Sequence, residues 1–202
     1  NKGFMFKDNK ILIIGAGGAV CAEGDVSSRR LEGYAHSLSL PIVAQVSDDY
    51  AYYLLVSEER ISLQAAISQH MSPLCVDFLS AKNTHRISYG GGAGQLLSKA
   101  IGLKRKKNPK VLDVTAGLGR DGFLLAMLGC QVMMLERCAI IAALLEDGLR
   151  RWRADPQSVS LNLQLTQMDA LTYLAACHAA TYDVIYIDPM FPVSNKSALV
   201  KK

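Results

Sequence analysis

Acids, glycines and an aromatic gather at the ends of a few apolar runs in this chain. From Asp113 to Asp121 the residues DVTAGLGRD follow such a run, with Gly117 and Gly119 in a turn that leads into a helix. A turn of this kind brings backbone N–H groups against a ligand, where the helix dipole adds a positive potential. Glu136 lies nineteen residues after Gly117 at the end of the next apolar run, where a carboxylate can accept from both hydroxyls of a ribose. Asp169 follows the third run and is placed to accept from an adenine amino group. Together the three describe a pocket for an adenine nucleoside. A nicotinamide dinucleotide would use the same ribose acid with a fuller GxGxxG fingerprint. Here Asp121 stands at the helix start, before Gly122, and its charge repels a pyrophosphate and suits a cation. S-adenosylmethionine, with its sulfonium and ammonium groups, fits the set better.

The fourth apolar run, Asp183 to Ile187, leads into Asp188, Pro189, Met190 and Phe191. An exocyclic amine of a nucleobase is a poor nucleophile because its lone pair is delocalised into the ring. Acceptors aimed at its N–H bonds favour a more tetrahedral nitrogen, and the Asp188 carboxylate and Pro189 carbonyl are candidates for that role. Pro189 fixes its own φ and holds Asp188 extended. Phe191 offers a face for an unstacked base. Asp188, Pro189 and Phe191 are therefore the candidate catalytic residues.

These residues need a scaffold, and the pattern supplies one. Lys110–Val114, Gln131–Leu135, Leu161–Leu165 and Asp183–Ile187 read as strands, alternating with helices at Asp121–Leu128, Cys138–Leu149 and Ala170–Ala176. Such alternation implies a parallel, doubly wound sheet with ligands at the carboxyl ends of its strands. Residues 1–85 read as a small α+β unit and 86–202 as the domain carrying the site. In the first unit, Lys10–Ile14 is a buried strand and Ser28–Leu40 a helix stopped by Pro41. Ile42–Val46, Tyr50–Val56 and Arg60–Gln64 are then strands close enough to pair antiparallel. Leu74–Phe78 is a further short apolar run. The glycines Gly90, Gly91, Gly92 and Gly94 open a helix from Gln95 to Leu103; they suit an anion-binding turn or, more simply, a joint. Gly15 to Val20 after the first strand is a rival dinucleotide turn, but it lacks a third glycine and a long βαβ unit.

Of 202 residues, half are hydrophobic and a fifth charged, which excludes a disordered chain and permits a full core. Sixteen glycines follow no period, which excludes collagen-like and repeat arrays. Twenty-two Lys and Arg against eighteen Asp and Glu leave a net charge of +4, too small to dictate an anionic partner. The cations cluster at Lys104–Lys110, at Arg150, Arg151 and Arg153, and at Lys196, Lys201 and Lys202. Five cysteines without a CxxC pair suggest reduced thiols, a cytoplasmic location and no metal site. The uncharged stretch Ile11–Ala22 after Lys10 mimics a signal peptide, yet its glycines break a helical core, and no membrane association is expected. Asn1 is not a start residue, and Met5 reads as the native start.

At this point the residues resemble a known family, the bacterial small-subunit ribosomal RNA guanine-N2 methyltransferase J. The likeness rests on VDF at Val76–Phe78, YGGGAG at Tyr89–Gly94, DVTAGLGRDGF at Asp113–Phe123, MLER at Met134–Arg137, AALLEDGL at Ala142–Leu149, and IDPMFP with KSALVKK between Ile187 and Lys202. The resemblance implies a Rossmann-like class I methyltransferase sheet and methylation of one guanine N2 amine in small-subunit rRNA, free or in the assembled subunit. It places cofactor contacts on Arg120, Asp121, Glu136, Arg137, Asp169, Ala170 and Asp188, with the adenine contact through Asp169 the least direct transfer. Family members continue for several strands past the position of Lys202, so those C-terminal strands are expected to be absent from this chain. Lys104–Lys110, Arg86, and Lys196 with Lys201 and Lys202 then become candidates for phosphate contacts. Adenine N6 methylation in DNA, glutamine methylation in protein, and a non-catalytic RNA-binding module on the same fold are the alternatives.

Overall fold

A computed structural model of the chain describes residues 11–15, 26–44, 50–66, 72–80 and 93–189. Its strands form two sheets. The first contains β1 (Ile11–Gly15), β2 (Tyr52–Val56) and β3 (Ile61–Ala65) in the order β1-β2-β3. Helix α1 (Val26–Leu38) crosses over between β1 and β2, which run parallel, while β2 and β3 form an antiparallel hairpin. The helix ends before Pro41, with Ser39 at a φ of 53°.

Over its described residues, 42–44, the expected strand Ile42–Val46 is not formed. Ile42 makes only an isolated parallel bridge to Ile13, and residues 45–49 lie outside the described set. The reason lies in the sheet order. Both edges of β2 are taken by β1 and β3, and the segment after Pro41 meets the outer edge of β1. There the Ile13 N–H donates to the Pro41 carbonyl and the Val43 N–H to the Ile13 carbonyl.

The second sheet is wholly parallel, in the order β6-β5-β4-β7, with β4 at Lys110–Asp113, β5 at Gln131–Glu136, β6 at Leu163–Gln167 and β7 at Val184–Tyr186. Its helices are α2 (Ala93–Ala100), α3 (Arg120–Met127), α4 (Ala139–Ala154) and α5 (Ala170–Ala176). The chain steps from β4 outward to β5 and β6, then returns to the other side of β4 as β7. That reversal opens a crevice at the carboxyl ends of β4 and β7. Val111, Leu112, Met134 and Leu135 from the central strands are buried, as are Phe123 and Leu125 of α3 and Leu144, Leu145 and Leu149 of α4. Phe123 stacks on Phe78 with ring centroids 4.1 Å apart and meets Trp152 edge-on at 4.9 Å. One aromatic cluster thus joins α3, α4 and the segment after β3.

Helix α4 runs five residues past the expected end at Leu149 because its arginines find partners along the first sheet. Asp147, 1% exposed, accepts from Arg30 of α1, from Arg150 Nη2 at 3.0 Å, from Arg151 Nε at 3.1 Å and from the Ile61 N–H at 3.2 Å. Arg30 also donates to the Ser57 and Glu58 carbonyls, Arg150 to that of Glu59 and Arg151 to that of Val76. These bonds satisfy the carbonyls of the β2–β3 turn and fasten the hairpin to α4. Gly148 allows the close approach, since a Cβ there would lie 2.6 Å from Val76 Cγ1.

Candidate functional site

The turn after β4 is shaped by two glycines in the left-handed region, Gly117 at φ 52° and Gly119 at φ 72°. An L-residue is strained at either position. Gly119 also caps α3 at its N-terminus, and a Cβ there would lie 2.5 Å from Leu145 Cδ1. A Cβ on Gly117 would approach only the Thr115 carbonyl, at 3.9 Å. Gly117 therefore borders open space, whereas Gly119 is packed against α4.

Glu136 ends β5 beside this turn, as the spacing predicts. Its Oε2 accepts from the Gly117 N–H at 3.0 Å, and its Oε1 from the Cys138 N–H at 2.7 Å. The carboxylate thus ties the glycine turn to the start of α4 and stays half-buried, each oxygen keeping a second lone pair. Asp121, in the first turn of α3, accepts at Oδ2 from the Tyr186 hydroxyl at 2.8 Å. Burial first and that hydrogen bond second push the Tyr186 hydroxyl well above its ordinary pKa, so it stays a donor.

Beneath the turn lies Asp113, the last residue of β4 and 1% exposed. Its Oδ1 accepts from the Thr115 N–H at 3.0 Å. Burial raises its pKa from 3.8 to about 6, the Thr115 bond opposes the rise, and the negative charges of Asp121 and Glu136 add to it. Gly122 makes room here, since a Cβ would lie 3.3 Å from Asp113 Oδ2 and 2.5 Å from Met134 Sδ. Sequence reasoning gave Asp113 no role. A carboxylate ending an otherwise apolar strand was the available signal.

Asp188 lies past the carboxyl end of β7, and its backbone N–H donates to Thr115 Oγ1 at 2.8 Å. One hydroxyl thus joins the Asp188–Pro189 turn to the glycine turn. Val114 N–H donates to the Tyr186 carbonyl at 3.1 Å, continuing the same β4–β7 seam. The side chains of Thr115 and Tyr186 were not singled out by sequence reasoning. Asp188 and Pro189 are exposed; Phe191 lies outside the described residues.

Asp169 has a structural task. Its Oδ1 accepts from the Leu171 N–H at 2.9 Å and the Thr172 N–H at 3.1 Å, capping α5. Strand β6 runs Leu163–Gln167, two residues later than expected, which places Asp169 and Ala170 close to its carboxyl end. Arg120 and Arg137 are exposed next to the two turns.

The predicted residues Gly117, Gly119, Asp121, Glu136, Asp169 and Asp188 therefore share the carboxyl edge of one parallel sheet. Asp121, Glu136 and Asp188 lie around the open glycine turn and Asp113 beneath it, an acceptor set suited to a cationic nucleoside. Among the described residues no group of His, Cys, Asp and Glu is placed to hold a metal ion, and no helix is long and apolar enough to cross a membrane. The turn at Gly15 lies mostly outside the described residues, as do Tyr89–Gly92, Arg86 and Lys196, Lys201 and Lys202.

Residues 37–202 match the family described as "Putative SAM-dependent methyltransferase". The chain is 46% identical over 171 residues to the ribosomal RNA small subunit methyltransferase J of Coxiella burnetii, covering 85% of this chain and 67% of that protein. It is 42% identical over 186 residues to the protein of the same name from Pseudomonas aeruginosa, covering 91% and 68%. Among solved structures, a SAM-dependent methyltransferase from Neisseria gonorrhoeae superposes with a TM-score of 0.67 at 30% identity, over 89% of this chain and 69% of the other.

Proposed function

The chain belongs to the ribosomal RNA small subunit methyltransferase J family of SAM-dependent methyltransferases, and from that premise we propose that it methylates the exocyclic N2 amine of a guanine in small-subunit rRNA. Its cofactor is S-adenosylmethionine, which supplies an electrophilic methyl group on a sulfonium. The observation that carries the reading is the hydrogen bond joining Asp188 to the glycine turn through Thr115, because it sets the proposed acceptor for the amine beside the proposed cofactor cradle.

Within this reading Glu136 binds the ribose hydroxyls through the lone pairs its two backbone bonds leave free. Asp169 binds the adenine amine through Oδ2 while Oδ1 caps α5. Asp121, held by Tyr186, faces the cationic portion of the cofactor, and Gly117 lets the backbone come close. Arg120, Arg137 and Ala170 line the same edge. The Asp188 carboxylate and Pro189 carbonyl accept from the guanine amine, orient its lone pair, and hold its proton as positive charge develops on nitrogen. Phe191 stacks on the guanine.

The split into an N-terminal unit, residues 1–85, and a catalytic domain, residues 86–202, belongs to the same proposal, with the arginine cluster around Asp147 as the joint. The test is nucleoside analysis of unmodified small-subunit rRNA, naked and in subunits, after incubation with protein and cofactor. N2-methylguanosine is the expected product. N6-methyladenosine, or label in DNA or protein alone, would refute the assignment.

A further inference from the structure

The carboxyl edge of the second sheet holds the proposed site, but much of the described positive charge lies at the opposite edge. Residues 104–109 lead into the amino end of β4 and residues 155–162 into that of β6. Lys104, Arg105 and Lys107 are exposed and make no ion pair among the described residues; their neighbour Lys106 is paired to Asp183 at 2.6 Å. At the same edge, the end of α4 and the 155–162 loop enclose a cavity of about 340 Å³. That is near the lower end of the roughly 300–1,000 Å³ of small-ligand pockets, room for a base and its sugar. Trp152, Val159 and Leu161 supply the apolar part of its lining, with Val159 55% exposed, and Arg153, Ser158 and Ser160 the polar part. Trp152 Nε1 donates to the Val159 carbonyl at 3.2 Å, which fixes the ring edge. Ser158, also lining the cavity, has a buried Oγ with no hydrogen-bond partner. Arg153 stands at the rim with about half its side chain exposed and one nitrogen paired to Glu146.

We infer that this amino edge is a second RNA contact, in which one unpaired nucleotide of the substrate sits in the cavity beside Trp152 while neighbouring phosphates meet Lys104, Arg105, Lys107 and Arg153. The inference rests on the RNA-substrate reading above. A cavity whose lining is half apolar and half polar, with one aromatic ring and one unsatisfied hydroxyl, suits an unstacked base, which brings π-surface and hydrogen-bonding edges together. Free cations on the same edge suit its backbone. A carboxylate-rich protein would use the cations and leave the cavity empty, so RNA accounts for more of the edge. The substrate would then touch the enzyme on two opposite edges, as a folded RNA can and a short single strand cannot.

Trp152 is the only tryptophan in the chain, so its fluorescence reports on the cavity. The full chain is titrated with a single-stranded RNA hexamer, and in parallel with polyglutamate, over a range of salt concentrations. A saturable fluorescence change with the hexamer alone is expected. It should weaken at least tenfold in the combined Lys104→Glu, Lys107→Glu, Arg153→Glu variant, with a salt slope shallower by about 2, at roughly 0.7 per lost phosphate contact. The same variant should raise the KM for rRNA and leave kcat and cofactor affinity unchanged. No fluorescence response to the hexamer, an equal response to polyglutamate, or a variant with unaltered KM overturns the inference while methyl transfer by the unsubstituted protein continues. Loss of the function reading itself is distinct, since it appears as absent methyl transfer by that unsubstituted protein.

Discussion

The backbone N–H of Asp188 donates to the side-chain oxygen of Thr115 across the β4–β7 seam, at 2.8 Å. The turn proposed to hold the target amine is therefore positioned by the turn proposed to hold the cofactor. Thr115→Val keeps the shape and removes the acceptor. We predict a kcat about tenfold lower, cofactor affinity within twofold, and a stability loss of about 1 kcal/mol. Thr115→Ser should restore kcat. A fall in cofactor affinity with unchanged kcat would show that the hydroxyl serves the cofactor turn alone.

Glu136 holds two backbone N–H groups and carries the charge proposed to meet the ribose. Glu136→Gln retains one acceptor oxygen, so the protein should fold, while cofactor affinity measured by calorimetry should drop at least tenfold. Glu136→Ala should also cost about 1–3 kcal/mol of stability, because two partly buried N–H groups lose their partner.

Asp113 holds its proton more tightly in the folded protein than in the unfolded chain, with a pKa of about 6 against 3.8. Its contribution to stability is fully present below pH 3.8 and is lost as the pH rises through about 6. The loss approaches roughly 3 kcal/mol at 1.36 kcal/mol per pKa unit. Asp113→Asn keeps an oxygen for the Thr115 N–H and removes the titration. In urea unfolding it should be more stable than the parent at pH 7.5 and equal to it near pH 3.5. A difference independent of pH would contradict the assigned cause.

Asp147 is the buried centre of three guanidinium groups. Asp147→Ala leaves them facing one another and frees the Ile61 N–H, and removing one partner of a buried ion pair costs about 3–5 kcal/mol. Hydrogen exchange should rise first in the β2–β3 hairpin. Exchange that rises evenly over both sheets would argue against a joint at α4.

The β-α alternation of the second sheet was legible because its apolar runs are short and bounded by Gly117, Gly129 and the helix-starting acids. The order of cofactor elements followed from it. What escaped was whatever depends on distant partners. Asp147 reads as one acid in a helix, and its bonds reach residues 30 and 61. The Ile42–Val46 run has strand composition, yet β2 has no free edge to offer it. Asp169 fits two readings at once, since the residue placed for an adenine is also a helix N-cap. Thr115 and Tyr186 act through hydroxyls whose partners lie 73 and 65 residues away.

The most direct test of the central claim is transfer of labelled methyl from S-adenosylmethionine to unmodified small-subunit rRNA and assembled subunits. The protein and its Asp188→Ala variant are compared, with cofactor binding by each measured alongside. The account predicts label in guanine N2 with the parent protein, and loss of at least a hundredfold in kcat with the variant while the cofactor still binds. A variant that binds cofactor and transfers methyl at the parent rate would contradict the role given to Asp188, and a parent protein that binds cofactor but labels no RNA would contradict the function.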